Sequence, residues 1–270
     1  MQNKEINNSE IPGCKISDLF NLDETIAKPL FEKFTYPWEV LPHIKDFILE
    51  LGPKLEAERG YKHLPEEEFG PDIWVSPSAK IAPTASLAGP LIVGDDAEIR
   101  HCAFVRGSAI VGDGATVGNS VELKNCILFN GSQVPHYNYC GDSVLGHKSH
   151  IGAGGITSNL KSDKTNVVLR DFYRGGNATN KDNSGIAPDN AFDNASDSAS
   201  DIACDITCME TGLRKFGAIL GDNVEVGCNS VLNPGTVIGS GSTVYPTSCV
   251  RGFIPANSIF KDKDNVVQKR

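Results

Sequence analysis

Large apolar residues recur at every sixth position over a long stretch of the chain. The series runs without a break through Val75, Ile81, Leu87, Val93, Ile99, Val105, Val111, Val117 and Leu123. A helix would spread a six-residue period around its surface, whereas short strands joined by tight turns return each sixth residue to the same inward-facing place. Small residues that follow the apolar ones, as in Val93-Gly94, suit such turns. The pattern predicts stacked coils of short parallel strands, a β-solenoid.

The period continues beyond this stretch, with an interruption. It passes with one-residue slips through Leu128, Val134, Cys140, Leu145 and Ile151, and it resumes as Leu220, Val226, Leu232, Ile238, Val244 and Val250. The interruption at 170–212 is poor in large apolar residues, so it cannot bury enough surface to offset its chain entropy. We expect a disordered polar loop there, with a substrate lid as the alternative. The solenoid is predicted over 71–255, and 256–270 as a C-terminal tail.

The first 70 residues follow a different, helical pattern. Apolar residues recur at three- and four-residue steps, as in Ile16, Leu19 and Phe20 and again in Ile44, Phe47, Ile48 and Leu51. We predict a short α-helical segment over 1–70 that caps the solenoid and carries no chemistry. The predicted fold class is therefore mainly β, with a small helical addition.

Composition narrows the classes of partner. A net charge of −9 and a pI near 5.2 disfavour nucleic acid and anionic membranes as main partners, because both require a basic surface. The sequence shows neither a signal-peptide pattern nor an apolar run of membrane-spanning length, so we expect a cytoplasmic protein. The eight cysteines are scattered without metal-binding spacing, which is typical of buried thiols.

Two cations are spaced by one complete coil of the predicted solenoid. Arg106 and Lys124 lie eighteen residues apart, which is three hexapeptides. With three strands per coil, the two side chains stack on the same side. Arginine binds phosphate through paired hydrogen bonds and lysine binds it as a point charge, so the pair predicts a phosphate site.

A histidine interrupts the hexapeptide pattern between bulky polar residues. His136 lies in the sequence PHYNY, where a purely structural coil would have small corner residues. Imidazole accepts protons near neutral pH, so His136 is the candidate general base. Further polar residues follow within a few coils, namely Tyr139, His150, Asn159 and Lys164. The glycine-rich run 151–155 predicts open backbone N–H groups for an oxyanion or a thioester carbonyl.

A metal site is the alternative interpretation of the histidines. His136, His147 and His150 are three of the six in the chain, and zinc would require three converging imidazoles. His147 and His150 lie three residues apart on a six-residue period, so they point to different sides. We therefore predict no metal.

These motifs resemble the acetyltransferase half of the bacterial bifunctional N-acetylglucosamine-1-phosphate uridyltransferase/glucosamine-1-phosphate acetyltransferase family. In that family an Arg precedes V-E-x-K by eighteen residues, followed by G-H-x-x-Y-x-G-D and N-I-G-A-G-T-I-T-x-N-Y. This chain has VELK at 121–124, PHYNYCGD at 135–142 and HIGAGGITSNL at 150–160. The resemblance covers about 106–250 apart from the loop, and it implies a left-handed parallel β-helix.

The resemblance also implies roles for individual residues. His136 would deprotonate the amino group that attacks acetyl-CoA. The residues that would bind an amino-sugar phosphate are Arg106, Lys124, Tyr139, His150, Asn159 and Lys164. Those that would lie beside acetyl-CoA are Ala153, Leu160, Cys228 and Pro246. Family members are homotrimers with each site between subunits, and they act in UDP-N-acetylglucosamine biosynthesis.

Several positions depart from the family pattern. His150 replaces an Asn that binds the sugar, Leu160 replaces a Tyr, and Cys228 replaces a Ser near the thioester. Tyr245-Pro246 stands where small residues normally admit the coenzyme's pantetheine arm. Sugar-phosphate binding is therefore better supported than acetyl-CoA binding. The segment before the solenoid is also too short for the family's uridyltransferase domain.

The sequence thus predicts an acetyl-CoA-dependent N-acetyltransferase acting on an amino-sugar 1-phosphate, such as glucosamine 1-phosphate. One alternative is an acyltransferase that acts on a nucleotide-linked sugar. The other is a trimer that binds a sugar phosphate without catalysis, as a sensor or scaffold. The expected partners are small molecules, an amino-sugar phosphate and an acyl-CoA, and not nucleic acid or a membrane.

Overall fold

The main body of the protein is a parallel β-helix whose coils each contribute strands to three faces, here called A, B and C. The structure is a computed structural model that describes residues 10–173 and 207–269. Strands of successive coils pair in parallel with residues of one coil directly beside those of the next, as in Val93 beside Val111. The parallel β-helix predicted from the six-residue period is confirmed.

Each face is a ladder of short strands. Face A contains Ile73–Val75, Leu91–Val93, Ala109–Val111, Ala218–Leu220, Thr236–Ile238 and Phe253–Ile254. Face B contains Lys80–Ile81, Glu98–Ile99, Thr116–Asn119, Gln133–His136, His150–Ile151, Glu225–Val226, Thr243–Val244 and Ser258–Asp262. Face C contains Ser86–Leu87, Phe104–Val105, Ile156–Thr157, Val231–Leu232 and Cys249–Val250. Two longer strands, Glu122–Leu128 and Tyr139–Leu145, begin on face C and end on face A.

The interior of the β-helix is filled by the residues of the six-residue series. Val105, Val117 and Leu123 have no exposed surface, and the later members of the series join the same core. Ile81, in the first coils, is partly buried and packs against this core. Burial of a Val, Leu or Ile side chain stabilises a fold by roughly 1.5–3 kcal/mol, so this stacked column is the main source of stability.

A helical cap covers the outer side of face A. Its elements are the α-helices Ile16–Leu19, Lys28–Phe31 and Ile44–Arg59, with 3-10 helices at Leu22–Glu24 and Pro37–His43. The short helix Glu66–Phe69 follows them and packs Phe69 against the β-helix core instead. The longest helix buries Ile44, Phe47 and Ile48 and ends at Gly60, whose positive φ of 67° suits a residue without a side chain. The outward residues of face A complete a second core with the cap. They are Trp74, Ile92, Ile110, Ile127, Val144, Ile219, Val237 and Phe253.

A carboxylate joins the cap to the β-helix. The side chain of Asp222 accepts hydrogen bonds from the backbone N–H groups of Asn21, at 2.7 Å, and His147, at 2.8 Å. The side chain of His147 lies 3.3 Å from Glu24 of the cap. The cap is therefore attached by polar contacts at the corner between faces A and B as well as by apolar packing.

The predicted polar loop at 170–212 lies mostly outside the described residues. Its two ends are described, and they differ from the prediction because they form strands. Val168–Asp171 pairs antiparallel with Thr207–Glu210, so the chain leaves and re-enters the β-helix through adjacent strands. The coils on either side remain in register, with His150 directly beside Glu225.

The predicted tail over 256–270 is wrong for most of its length. Ser258–Asp262 stacks on Thr243–Val244 as a further strand of face B, and Asn265–Gln268 folds back against it in an antiparallel pair. Phe260 is buried in the β-helix core. At the opposite end, Lys62–His63 pairs antiparallel with Ile73–Val75. Within the described ranges, no helix is long and apolar enough to span a membrane.

Phe129 is one of the aromatic residues of the β-helix that pack against the cap. Its ring lies 4.8 Å from that of Phe20 and 5.3 Å from that of Phe31, between ring centroids. We expect Phe129→Ala to lower the free energy of unfolding by about 3–5 kcal/mol, because the cavity would lie between two rigid layers. Urea unfolding monitored by circular dichroism measures this loss. Phe172→Ala, at a side chain that is 44% exposed, is the control and should cost far less. Equal losses in the two variants would contradict this account of the interface.

Candidate functional site

Polar side chains collect at the two edges of face C. The edge between faces B and C, here called the B–C corner, holds His136, residues 152–155, Cys228 and Pro246. The edge between faces C and A, here called the C–A corner, holds Arg106, Lys124 and Asn159. Because coils stack in register, residues from distant parts of the sequence become neighbours along each corner.

At the C–A corner, Asp142 brings together three of the predicted substrate-binding residues. Its carboxylate lies 3.5 Å from the Lys124 ammonium and accepts a hydrogen bond from the Asn159 side-chain amide. The same amide nitrogen donates to the Tyr139 hydroxyl at 3.2 Å. Lys124 and Asn159 therefore contact the same carboxylate, and Tyr139 is joined to them through Asn159.

Arg106 lies one coil before Lys124 and has a different partner. Its guanidinium donates to Glu122 Oε1 at 2.6 Å, and this hydrogen bond raises the pKa of Arg106. Its backbone N–H donates to Leu123 O at 2.8 Å, which places the two cations on adjacent coils as their spacing predicts. Each cation thus has a carboxylate partner, Glu122 or Asp142, and the four charges sum to zero before a ligand binds.

Tyr139 is half-buried next to these charges. Burial, followed by the negative charge of Asp142, raises the pKa of its hydroxyl above the ordinary value of 10.0. The hydroxyl therefore keeps its proton at neutral pH and can donate a hydrogen bond to an anionic ligand.

His136 occupies the B–C corner at the end of its strand. Its Nδ1 atom lies 3.3 Å from Asn119 Oδ1 on the preceding coil, and its backbone N–H donates to Asn138 Oδ1 at 3.0 Å. An amide oxygen accepts hydrogen bonds, so this contact is compatible with the tautomer that has its proton on Nδ1 and its lone pair on Nε2. A general base uses that tautomer, and the Asn119 contact orients the ring from behind.

The prediction of open backbone N–H groups at 151–155 is wrong for most of the glycine-rich run. Gly152 donates to Val226 O at 2.7 Å, Gly154 to His136 O at 3.1 Å and Gly155 to Gly152 O at 3.1 Å. Parallel stacking uses these donors to join one coil to the next. The glycines are required instead for close packing, because a Cβ at Gly152 would lie 2.7 Å from Cys228 N.

A groove of about 380 Å³ runs along face B into the B–C corner. It is lined by residues that include His150, Gly152, Cys228, Tyr245 and Pro246. Two of the four residues predicted to contact acetyl-CoA, Cys228 and Pro246, therefore lie in one groove, and Ala153 is joined to it because Asn229 N donates to Ala153 O at 2.8 Å. Tyr245 is 45% exposed and is one of the residues that line the groove.

His150 belongs to this groove and lies away from the C–A corner. Its Nδ1 atom lies 2.8 Å from Glu225 Oε2, which directs its Nε2 atom away from that carboxylate. His147 points to the cap, so the two histidines diverge as their spacing indicates. In the part of the chain that the structure describes, no three side chains of His, Cys, Asp or Glu are grouped as metal ligands.

Leu160 and Lys164 lie beyond Asn159 along the chain. Leu160 forms an antiparallel bridge with Lys215 and is 38% exposed, on the side of the C–A corner. It is therefore separated within one chain from the groove that contains Cys228 and Pro246. Lys164 is exposed in a turn that its backbone N–H closes by donating to Lys161 O at 3.0 Å.

Comparison with known proteins finds relatives of the kind that the motifs indicate. The model of the GMPPB C-terminal domain family matches residues 87–169, which is less than half of the chain. A bifunctional protein GlmU from Methanococcus vannielii is 29% identical over 154 residues, which are 57% of this chain and 29% of that protein. A bifunctional sugar-1-phosphate nucleotidylyltransferase/acetyltransferase from Sulfurisphaera tokodaii is 28% identical over 54% of this chain and 28% of its own length.

A longer match extends over most of the chain. The bifunctional protein GlmU from Azotobacter vinelandii is 27% identical over 216 residues, which are 80% of this chain and 31% of that protein. The chain thus spans less than a third of the length of these relatives. The resemblance to the bifunctional uridyltransferase/acetyltransferase proteins, first recognised in the motifs, is confirmed.

The raised pKa of Tyr139 predicts how stability depends on alkaline pH. A raised pKa in the folded state means that the contribution of Tyr139 is complete below about pH 10 and is lost as pH rises through the folded pKa. We therefore expect the free energy of unfolding to fall less steeply above pH 10 in Tyr139→Phe than in the parent protein. Urea unfolding at several pH values from 8 upward measures the two slopes. Tyr137→Phe, at a hydroxyl on a 56% exposed residue, is the control, and a slope change confined to that variant would contradict the assignment.

Proposed function

We infer that this protein transfers an acyl group, in the first place acetyl, from a coenzyme A thioester to the amino group of an amino-sugar phosphate. The observation that carries the inference is the shared location of a base and a groove. His136 lies on the B–C corner, and the groove with Cys228 and Pro246 opens on the same corner one to three coils further along. A general base beside a channel for an extended donor is what acyl transfer to an amine requires.

The reaction needs one proton transfer at this corner. His136 Nε2 takes a proton from the amino group as its nitrogen attacks the thioester carbonyl carbon. A carbon–nitrogen bond forms, the carbon–sulfur bond breaks, and the sulfur leaves as the thiolate, which is protonated to the thiol of coenzyme A. Positioned general bases contribute roughly 10²–10⁴-fold to such rates.

The charge pattern supports a phosphorylated acceptor. Arg106 and Lys124 lie on adjacent coils at the C–A corner, and the Tyr139 hydroxyl, which accepts from Asn159 Nδ2, keeps its own proton for a ligand. The named activities of the relatives, a sugar-1-phosphate nucleotidylyltransferase and an acetyltransferase, agree with a sugar phosphate or a sugar nucleotide as acceptor. Within this class we favour glucosamine 1-phosphate, because the motifs around the cations match the family that acetylates it.

The width of face C supports a site that is shared between two copies of the chain. The base and the phosphate-binding cations lie at opposite edges of this face, so the walls of one β-helix cannot enclose a single substrate. The outward positions of face C are apolar and exposed at Phe104, Ile156 and Val231, by 43%, 40% and 36%. We therefore infer a closed trimer in which face C of one copy meets the next, bringing His136 of one chain to Lys124 of its neighbour.

Removal of the base and of a phosphate contact should affect different kinetic parameters. We expect His136→Ala to lower kcat by roughly 10²–10⁴-fold with the affinity for glucosamine 1-phosphate nearly unchanged. Lys124→Ala should raise KM first, because its contact exists in the ground state. A spectrophotometric assay of released thiol with acetyl-CoA measures both.

The matched control is His101→Ala, since His101 lies on the B–C corner two coils before His136 and contacts Thr84. This variant should keep the parent activity. Full turnover by His136→Ala would remove the base from the mechanism. Binding of the sugar phosphate by the parent protein without any transfer would favour the alternative, a trimeric sugar-phosphate sensor.

The inferred trimer predicts complementation between two variants, one impaired in turnover and the other in substrate binding. When His136→Ala and Lys124→Ala chains are mixed equally and reassembled, about a quarter of the sites receive both intact residues from different chains, as random closed assembly requires. We expect activity to return to that fraction at subsaturating substrate, and light scattering to give about three chain masses. If each site were built from one chain, the mixture would be as inactive as its components.

A further inference from the structure

Asp142 is the most deeply buried carboxylate in contact with the predicted substrate-binding residues. Its residue is 5% exposed and its backbone has a positive φ of 48°, at the bend where a strand passes from face C to face A. Burial of a carboxylate costs several kcal/mol unless the charge is paired and hydrogen-bonded. The residues around Asp142 therefore have to supply hydrogen-bond donors and a positive charge, and they identify the side chains that Asp142 holds in place.

The two carboxylate oxygens have different partners. Oδ2 accepts from the Asn159 amide and faces the Lys124 ammonium at 3.5 Å, whereas Oδ1 accepts from the Asn125 amide at 2.9 Å. An ionised carboxylate only accepts hydrogen bonds, so it can satisfy three donors from three directions. An asparagine amide, which has the same shape, could not satisfy all three donors, because its NH2 group would face one of them.

Asn125 connects the Asp142 carboxylate to the helical cap. The Asn125 amide nitrogen donates both to Asp142 and to Leu41 O of the cap, the latter at 3.2 Å. A second path is parallel to it, since Phe216 N donates to Asn159 O at 3.0 Å and the Phe216 ring lies 5.8 Å from that of Trp38. The cap therefore supports the outer side of the residues that face the substrate.

Asp142 and Glu122 differ although each is paired with a cation. Glu122 is a third exposed in its side chain, so a phosphate can displace it from Arg106, whereas Asp142 is enclosed on the side away from solvent. Lys124 can thus turn its remaining donors to a ligand while its ammonium stays held from behind. This is the arrangement by which a buried charge orients a binding residue rather than competing with the ligand.

We propose that Asp142 is a positioning residue that fixes Lys124 directly, and the Tyr139 hydroxyl through Asn159, for the acceptor's phosphate, with the helical cap as its support through Asn125. The proposal rests on the proposed function for the identity of the ligand. The positioning of Lys124 is a property of the unliganded protein and can be measured separately. The cap, for which the sequence indicated no chemistry, thereby becomes part of the acceptor site.

The test uses Asp142→Asn, because asparagine tolerates a positive φ and preserves the shape while removing the charge. We expect calorimetric affinity for glucosamine 1-phosphate to fall about tenfold and KM to rise in parallel, with kcat changed less than about threefold, since His136 lies on the other corner. In a Lys124→Ala background the same substitution should change affinity less than about threefold, because coupled residues are not additive. Asp163→Asn, which removes an exposed carboxylate 3.2 Å from Lys161, is the control of equal charge.

A second measurement needs no ligand. Labelling of Lys124 by limiting acetic anhydride, quantified by mass spectrometry, should rise several-fold in Asp142→Asn and not in Asp163→Asn. Unchanged labelling, or fully additive effects of the Asp142 and Lys124 substitutions on affinity, would overturn the positioning role. If the parent protein neither binds nor acetylates glucosamine 1-phosphate while labelling rises as expected, the proposed function fails and the positioning role stands.

Discussion

Parallel stacking in register is the constraint on which the structure depends. Every coil must return its inward residues to the same place, because the interior column of Val, Leu and Ile side chains is continuous from the first coil to Phe260. The same register makes outward residues one coil apart into neighbours. Lys124, Asp142 and Asn159 become neighbours in this way, although each is 17 or 18 residues from the next along the chain. The stacking that builds the core therefore also assembles the site.

The inward half of this rule could be predicted from the sequence, whereas of the outward half only the stacking of Arg106 and Lys124 on adjacent coils was predicted. A six-residue period identifies inward positions such as Val93 and Val111 whatever lies outside the coil. Burial of face A on both sides has its own signal, three consecutive apolar residues as in Leu91–Val93 and Ala109–Val111. That signal indicates a covering layer. A helical cap was predicted over 1–70, and the structure shows that its elements between residues 16 and 59 are the layer that covers face A. The added strand Ser258–Asp262 escaped prediction because only Phe260 continues the apolar series there.

Motif spacing placed Lys124, Tyr139 and Asn159 correctly with respect to one another, since each lies near a corner of the same face. It gave no weight to Asp142, because a single acidic residue in a turn looks like a solvent-exposed one until burial is known. The glycines at 152–155 show the opposite error. Small side chains suggested open backbone groups, but a parallel coil uses those groups for its own ladder. The hydrogen bonds of the backbone decided the glycine case, and burial of the side chain decided the case of Asp142; neither can be read from a motif.

The paired strands Val168–Asp171 and Thr207–Glu210 have a consequence for how this chain can change over evolutionary time. They close the entrance to the interruption, and His150 still stacks on Glu225 although the two are 75 residues apart. The phase of the coils is therefore independent of how many residues lie between the two strands. Doubling the length of such a connection adds only about 0.6 kcal/mol of closure entropy. This position can therefore change length by many residues, whereas an uninterrupted coil varies only between 16 and 18 residues, as in Val244 beside Phe260 and Phe104 beside Glu122.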